Sequence, residues 1–112
     1  MQDEAEFPME MDPGQARGIL VENSSCILLD VRELKERTLC FIEGSLHVPL
    51  SSLPEQLTAL NPETPIISYC HHGIRSLAAV RMLRAKGFDK VSSMRGGIDL
   101  WAIEIDPSLT RY

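Results

Sequence analysis

The stretch Cys70-His71-His72-Gly73-Ile74-Arg75-Ser76 gathers the residue types in this sequence best suited to chemistry. A thiol is followed, within one short polar loop, by two imidazoles, a glycine, a guanidinium and a hydroxyl. The apolar run Ile66-Ile67-Ser68-Tyr69 leads into it, and a helix-forming segment from Ser76 to Lys86 leads away. A cysteine between a buried strand and a helix N-terminus is placed to act as a nucleophile. Loop N–H groups can curl into an anion-binding nest, and the helix behind them adds partial positive charge at the same point. Both favour thiolate over thiol, the reactive form. The helix contributes only roughly 0.3–1 kcal/mol, so the loop amides and Arg75 must add to it. Gly73 suits a sharp turn that brings backbone close to a ligand.

Other groupings of reactive residues are weaker. Cys26 opens an apolar run and Cys40 sits beside Phe41 and Ile42, as small buried hydrophobes do. Three cysteines without a CxxC pair give neither a disulfide framework nor a thioredoxin-type redox centre. Cys70, His71, His72 and His47 match no standard zinc spacing, and neighbouring residues rarely converge on one ion. No metal and no organic cofactor is expected.

The elements that must position Cys70 follow from periodicity and turn chemistry. Residues 1–9 read as a flexible acidic arm ending near Pro8, and residues 10–112 as one domain. Asp12-Pro13-Gly14-Gln15 is a helix start, with a cap, a proline at the first position and a capping-box glutamine. Cys26 to Val31 is a short continuous apolar run, the pattern of a strand buried on both faces. Glu33 to Arg37 is charged and helix-prone, and Leu46 to Val48 suggests a short strand closed by Pro49. Ser52-Leu53-Pro54-Glu55 is a second capping-box pattern. Gly87 stops the helix that follows the Cys70 loop, with Arg84 and Lys86 at its negative dipole end. Lys90 to Met94 is another strand, Arg95-Gly96-Gly97 a tight turn, and Ile98 to Ile103 a last short helix. Alternating strands and helices make an α/β domain with a mostly parallel sheet. Ligands bind such sheets beyond the carboxyl ends of the strands, where Cys70 falls.

The segment Cys70 to Ser76 resembles the active-site loop of the rhodanese-like family. Asp30-Val31-Arg32-Glu33, Glu36 and Ile42 to Pro49 resemble that family's upstream signature. Gly87-Phe88 and Val91 to Trp101 resemble its closing segment, so the resemblance spans nearly the whole chain from about Asp12. It implies a rhodanese-like α/β fold, a mostly parallel five-stranded sheet flanked by helices, and sulfurtransferase activity without a cofactor. The family mechanism makes Cys70 the nucleophile. Its thiolate takes the outer sulfur of a small-molecule donor, thiosulfate or a persulfide, and hands it to a thiol or protein acceptor, or to cyanide. The amides of His71, His72, Gly73, Ile74 and Arg75 would cradle the persulfide. Asp30, Arg32 and Ser76 are assigned supporting roles, with Asp30 or Arg32 expected to hold Arg75 or the loop backbone. Trp101 is expected to pack in the core near the site.

Two departures from the family pattern bear on specificity. Many relatives carry an arginine directly after the cysteine, where this chain has His71. Arg75 is then the one permanent cation of the loop, and the charge on His71 and His72 depends on pH. A donor less charged than thiosulfate fits that loop, and thiosulfate turnover is expected to rise as pH falls toward ~6.5. The second departure, Cys40-Phe41 in place of Gly-His, should alter only packing. Cysteine-dependent phosphatases place one residue more between cysteine and arginine than the four found here. A loop shorter by up to ~3.6 Å fits a tetrahedral phosphate poorly.

The bulk properties agree with this reading. A chain of 112 residues suits one domain. A net charge of -5 disfavours nucleic acid and anionic membranes as partners. No apolar run approaches the ~20 residues of a membrane span, and the acidic start lacks the pattern of a secretory signal. A cytoplasmic protein is expected.

Overall fold

Three strand candidates read from the sequence become the three central strands of one parallel sheet. A computed structural model describes residues 7–112. The strands are β1 (Glu10–Met11), β2 (Ile27–Asp30), β3 (Leu46–His47), β4 (Ile66–Tyr69) and β5 (Val91–Met94). The helices are α1 (Pro13–Glu22), α2 (Leu34–Leu39), α3 (Leu53–Gln56), α4 (Ile74–Ala85) and α5 (Gly97–Glu104), with 3-10 turns on either side of α3. The sheet order is β1-β5-β4-β2-β3 and every pair is parallel. This is the five-stranded α/β architecture expected.

Side chains along a strand alternate between faces, and here the alternation separates two cores. Leu29, Ile66, Val91 and Cys70 pack with Ala79, Val80 and Leu83 of α4 on one face. Leu28, Ile67, Tyr69 and Met94 pack with Ala16, Ile98 and Trp101 on the other. Trp101 is therefore core, as expected, while Cys40 is buried and Cys26 packs at the edge of the second cluster. Among the described residues no helix is long and apolar enough to cross a membrane.

Several expectations need adjustment. Of the expected arm, residues 1–6 lie outside the described residues, but Phe7 to Met9 belong to the domain. Phe7 is buried, its carbonyl accepts from Arg84, and the Met9 carbonyl accepts from the Ser93 amide at 2.8 Å. These contacts lead the chain into β1, an edge strand that local pattern did not reveal. The Asp12 helix start forms, with the Asp12 amide donating to Gln15 Oε1 at 3.0 Å. The Ser52 capping box does not. Ser52 ends a 3-10 turn with helical dihedrals (φ -92°, ψ -11°), so its side chain makes no cap hydrogen bond. A cap needs extended backbone at that position. Helix α4 also starts two residues earlier than expected, at Ile74, because Gly73 at φ 108° turns the chain sharply enough to begin it there.

Candidate active site

Cys70 follows β4 directly, at the carboxyl end of the sheet. Its side chain lies on the α4 face, and only 1% of the residue is exposed. The surroundings of the sulfur are not purely apolar. The Gly73 amide donates to Cys70 Sγ at 3.1 Å and the Ser76 amide at 3.3 Å. Ser76 Oγ lies 3.5 Å from the sulfur and 2.7 Å from Ser93 Oγ. Two amides and a hydroxyl backed by a second hydroxyl thus converge on one atom, at the N-terminus of a helix that extends to Ala85. Such an arrangement stabilises negative charge on the sulfur. Of the five amides expected to form the cradle, Gly73 meets Sγ in this state; Ser76, expected only to support, supplies the second.

The loop backbone is pinned from the opposite side by α5. The Ile98 amide donates to the Cys70 carbonyl at 2.8 Å and the Asp99 amide to the His71 carbonyl at 3.2 Å. Gly97 makes that approach possible. A Cβ there would stand 2.3 Å from the His71 carbonyl oxygen and 2.4 Å from that of Cys70, and the backbone has φ +61°.

Arg75 does not reach into the loop. It forms a bidentate pair with Glu36 of α2, at 2.6 Å to Oε1 and 2.9 Å to Oε2. The Arg75 guanidinium holds the Glu36 carboxyl down at about 2, and Glu36 in turn raises Arg75 above its ordinary value. Asp30 or Arg32 is expected to hold Arg75 or the loop backbone, and among the described residues neither side chain bonds to either. Asp30 and Arg32 are both fully buried and hold each other through two contacts of 2.9 Å. Arg37 joins the same carboxylate at 3.0 Å. Burial alone would raise the Asp30 carboxyl, but the Arg32 and Arg37 hydrogen bonds outweigh it and leave it below the ordinary range. The pair serves the scaffold. Arg32 also donates to the Cys40 carbonyl at 2.7 Å, and its own carbonyl meets His47 Nε2 at 2.8 Å.

His71 lies between two rings. Tyr112 stacks on it at 3.9 Å and 7°, and His72 at 3.8 Å and 29°. Its Nε2 is buried and has no hydrogen-bond partner among the described residues. Burial first, and then His72, push the His71 imidazole below its ordinary value. His72 is mostly exposed, 3.8 Å from Asp99. Donor atoms of His71, His72 and Asp99 lie within 4.8 Å of one another. Stacked rings aim their in-plane lone pairs side by side rather than at a common point, and Arg111 grips Asp99 at 2.9 Å. That geometry does not suit a metal ion. Ile74 is 82% exposed at the loop rim.

Sequence reasoning missed Tyr112 altogether. Its hydroxyl accepts from Arg32 Nη1 at 2.9 Å and donates to Glu36 Oε2 at 2.8 Å. No local pattern pointed to it, because its partners lie far away along the chain.

Comparison with known proteins supports what the geometry indicates. Residues 12–104 match the model of the rhodanese-like domain. The chain is 32% identical over 103 residues to thiosulfate sulfurtransferase GlpE of Actinobacillus pleuropneumoniae, spanning 92% of this chain and 94% of that protein. It is 34% identical over 89 residues to GlpE of Stutzerimonas stutzeri, 80% of each. The crystal structure of a rhodanese-related protein from Thermoplasma volcanium superposes with a TM-score of 0.76 at 29% identity, covering 86% of this chain and 92% of the other. The human single-domain sulfurtransferase TSTD1, at 23% identity and a TM-score of 0.79 over 86% of this chain and 96% of the other, shares the fold. The chain belongs to the rhodanese-like domain family and is a rhodanese-type sulfurtransferase.

Proposed function

We propose that the chain carries sulfane sulfur as a persulfide on Cys70, loaded from a donor of low charge and unloaded to a thiol. In the first step the Cys70 thiolate attacks the outer sulfur of the donor. The donor's S–S bond breaks and its electron pair leaves with the remainder, sulfite when the donor is thiosulfate. In the second step an acceptor thiolate attacks the outer sulfur of the Cys70 persulfide, forming an acceptor persulfide and restoring the Cys70 thiolate. Charge is conserved at each step, and no cofactor takes part.

One observation carries this reading: two backbone amides, of Gly73 and Ser76, converge on Cys70 Sγ at a helix N-terminus. A cysteine that merely filled a core would have no use for them. The family relationship and the GlpE relatives support the same reaction class. Donor preference rests on the loop. Arg75 is paired with Glu36 and His71 is held toward its neutral form, so among the described residues short-range dipoles are the groups in contact with an anion at the sulfur. That suits a persulfide or other singly charged donor better than thiosulfate. The cytoplasm, a reducing compartment, suits a reaction whose nucleophile and acceptor are both thiols.

The test is mass spectrometry of the intact chain and its peptides after exposure to thiosulfate or an alkyl persulfide. One sulfur atom should appear on the peptide with Cys70, disappear on adding a thiol, and be absent from Cys70→Ser. Sulfur found on Cys26 or Cys40 instead, or thiocyanate formation undiminished in Cys70→Ser, would refute the assignment.

A further inference from the structure

We propose that Tyr112 is a specificity-determining positioning residue: its hydroxyl fixes the Glu36 carboxylate that neutralises Arg75, and so biases the Cys70 loop against doubly charged donors. The inference deepens the sulfur-transfer reading above and rests on it. Tyr112 lies beyond the residues matched by the family model, which end at 104. Its contacts with Arg32 and Glu36 reach back into the matched part of the chain.

The contacts form a line from the rigid interior to the loop. Asp30 and Arg32 are fully buried and locked together. Arg32 donates to the Tyr112 hydroxyl, which donates to Glu36 Oε2, the oxygen that also receives Arg75 Nη2. Glu36 Oε1 receives Arg75 Nη1 and the Glu33 amide. Four donors thus hold one carboxylate in place. The Tyr112 ring meanwhile stacks on His71, the residue after Cys70.

Without that brace, Glu36 and Arg75 would form an ordinary partly exposed ion pair, of the kind that gains little and moves freely. Arg75 is the permanent cation of the loop and interacts electrostatically with Cys70. A dianion arriving at the sulfur would draw a loose Arg75 toward itself. Held as it is, Arg75 must first leave its carboxylate, and the donor loses that attraction. A donor carrying a single charge on the transferred sulfur loses less, because the Gly73 and Ser76 amides already serve it.

The experiment compares kcat/KM for thiosulfate, a dianion, with that for benzenethiosulfonate, a monoanion, in the unchanged chain, Tyr112→Phe and Glu36→Gln. Tyr112→Phe keeps the ring on His71 and removes only the hydroxyl. The thiosulfate-to-benzenethiosulfonate ratio should rise about three- to fivefold in both variants, the range a partly exposed ion pair supports. A ratio that rises in Glu36→Gln but not in Tyr112→Phe would overturn the role of Tyr112. A ratio unchanged in both would overturn the idea that Arg75 is withheld. Thiosulfate binding by calorimetry in the Cys70→Ser background separates this from the reaction itself. Adding Tyr112→Phe should tighten it by a similar factor, and binding that is equal or undetectable with and without the hydroxyl would count against the proposal. Failure of the unchanged chain to transfer sulfur from any donor would instead count against the Cys70 reading.

Discussion

Replacing Gly97 by alanine should uncouple α5 from the Cys70 loop, and its cost can be worked from the geometry. The added Cβ would lie 2.3 Å from the His71 carbonyl oxygen and 2.4 Å from that of Cys70. Both neighbours are backbone, so no side chain can rotate away. The loop must retreat by more than half an ångström, which stretches the Ile98-to-Cys70 and Asp99-to-His71 hydrogen bonds, now 2.8 and 3.2 Å, toward breaking. Each is worth about 1 kcal/mol, and alanine at φ +61° adds about 1 kcal/mol. Gly97→Ala should therefore destabilise the domain by about 2–4 kcal/mol. Gly18, inside α1, is the built-in control. Among the described residues nothing lies within 4 Å of its would-be Cβ, and alanine there should stabilise the domain by roughly 0.5–1 kcal/mol. Urea unfolding measures both, and thiocyanate formation at a denaturant-free temperature well below unfolding measures the loop. Gly97→Ala should lose most of its activity while still folded, because the Gly73 and Ser76 amides move off the sulfur together with the loop. Unchanged stability and activity in Gly97→Ala would refute the claim that α5 sets the shape of the loop.

Two pH dependences follow from the same contacts. The Glu36 carboxyl is held at about 2 against an ordinary 4.5, first by Arg75. The stabilisation is thus full above pH 4.5 and is lost as pH falls toward 2; discounted for the partial exposure of Arg75, it amounts to about 1–2 kcal/mol. The stability gap between the unchanged chain and Glu36→Gln should be open at pH 7 and close progressively below pH 4.5, and a gap constant down to pH 3 would contradict the pairing. His71 has a consequence of the same sign. Its folded value lies below 6.5, so the fold prefers the neutral ring and loses a little stability as pH falls through that range. The gain in thiosulfate turnover from a charged His71 should begin on the acid side of 6.5, later than the sequence alone suggests, and His71→Gln should remove it. A gain already complete at pH 7, or one that persists in His71→Gln, would assign the effect elsewhere.

The parts of this molecule legible in the sequence are those whose partners are close along the chain or whose environment is uniform. β2 and β4 declare themselves because strands buried on both faces read as unbroken apolar runs. Cys70, Gly73 and Ser76 declare themselves because a strand, a turn and a helix start must follow one another within a few residues to build a nest. β1 does not. It is two residues long, and it exists because Ser93 and Arg95 amides offer hydrogen bonds to Met9 and Met11. β5 carries Ser92 and Ser93 in a fully buried setting, which local pattern would penalise. Ser93 finds Ser76 Oγ and Ser92 finds the Pro8 carbonyl, partners set by tertiary folding. The pairing of Arg75 with Glu36 and the reach of Tyr112 to both Arg32 and Glu36 are of the same kind. Glu36 was visible only as one member of a family signature, and Tyr112 not at all.

The distribution of charge around Cys70 explains why a carrier would be built in this way. Arg32 and Arg37 share the Asp30 carboxylate, and Arg75 pairs with Glu36. The groups in contact with an anion at the sulfur are dipoles: the Gly73 and Ser76 amides, the Ser76 hydroxyl and the start of α4. Hydrogen bonds to a charged group are worth roughly 1.5–3 kcal/mol each, but they act only at contact distance and saturate at a single negative atom. A side-chain cation would instead favour whichever state carried more charge. The loaded and unloaded forms, persulfide and thiolate, carry the same single charge, so dipoles stabilise the two alike. Sulfur can then be taken up and released without either state becoming a trap. A loop that presented Arg75 to its substrate would gain affinity for thiosulfate, and it would also hold the departing sulfite. On the proposed reading, turning Arg75 onto Glu36 gives up that affinity and leaves the direction of transfer to the relative stability of donor and acceptor.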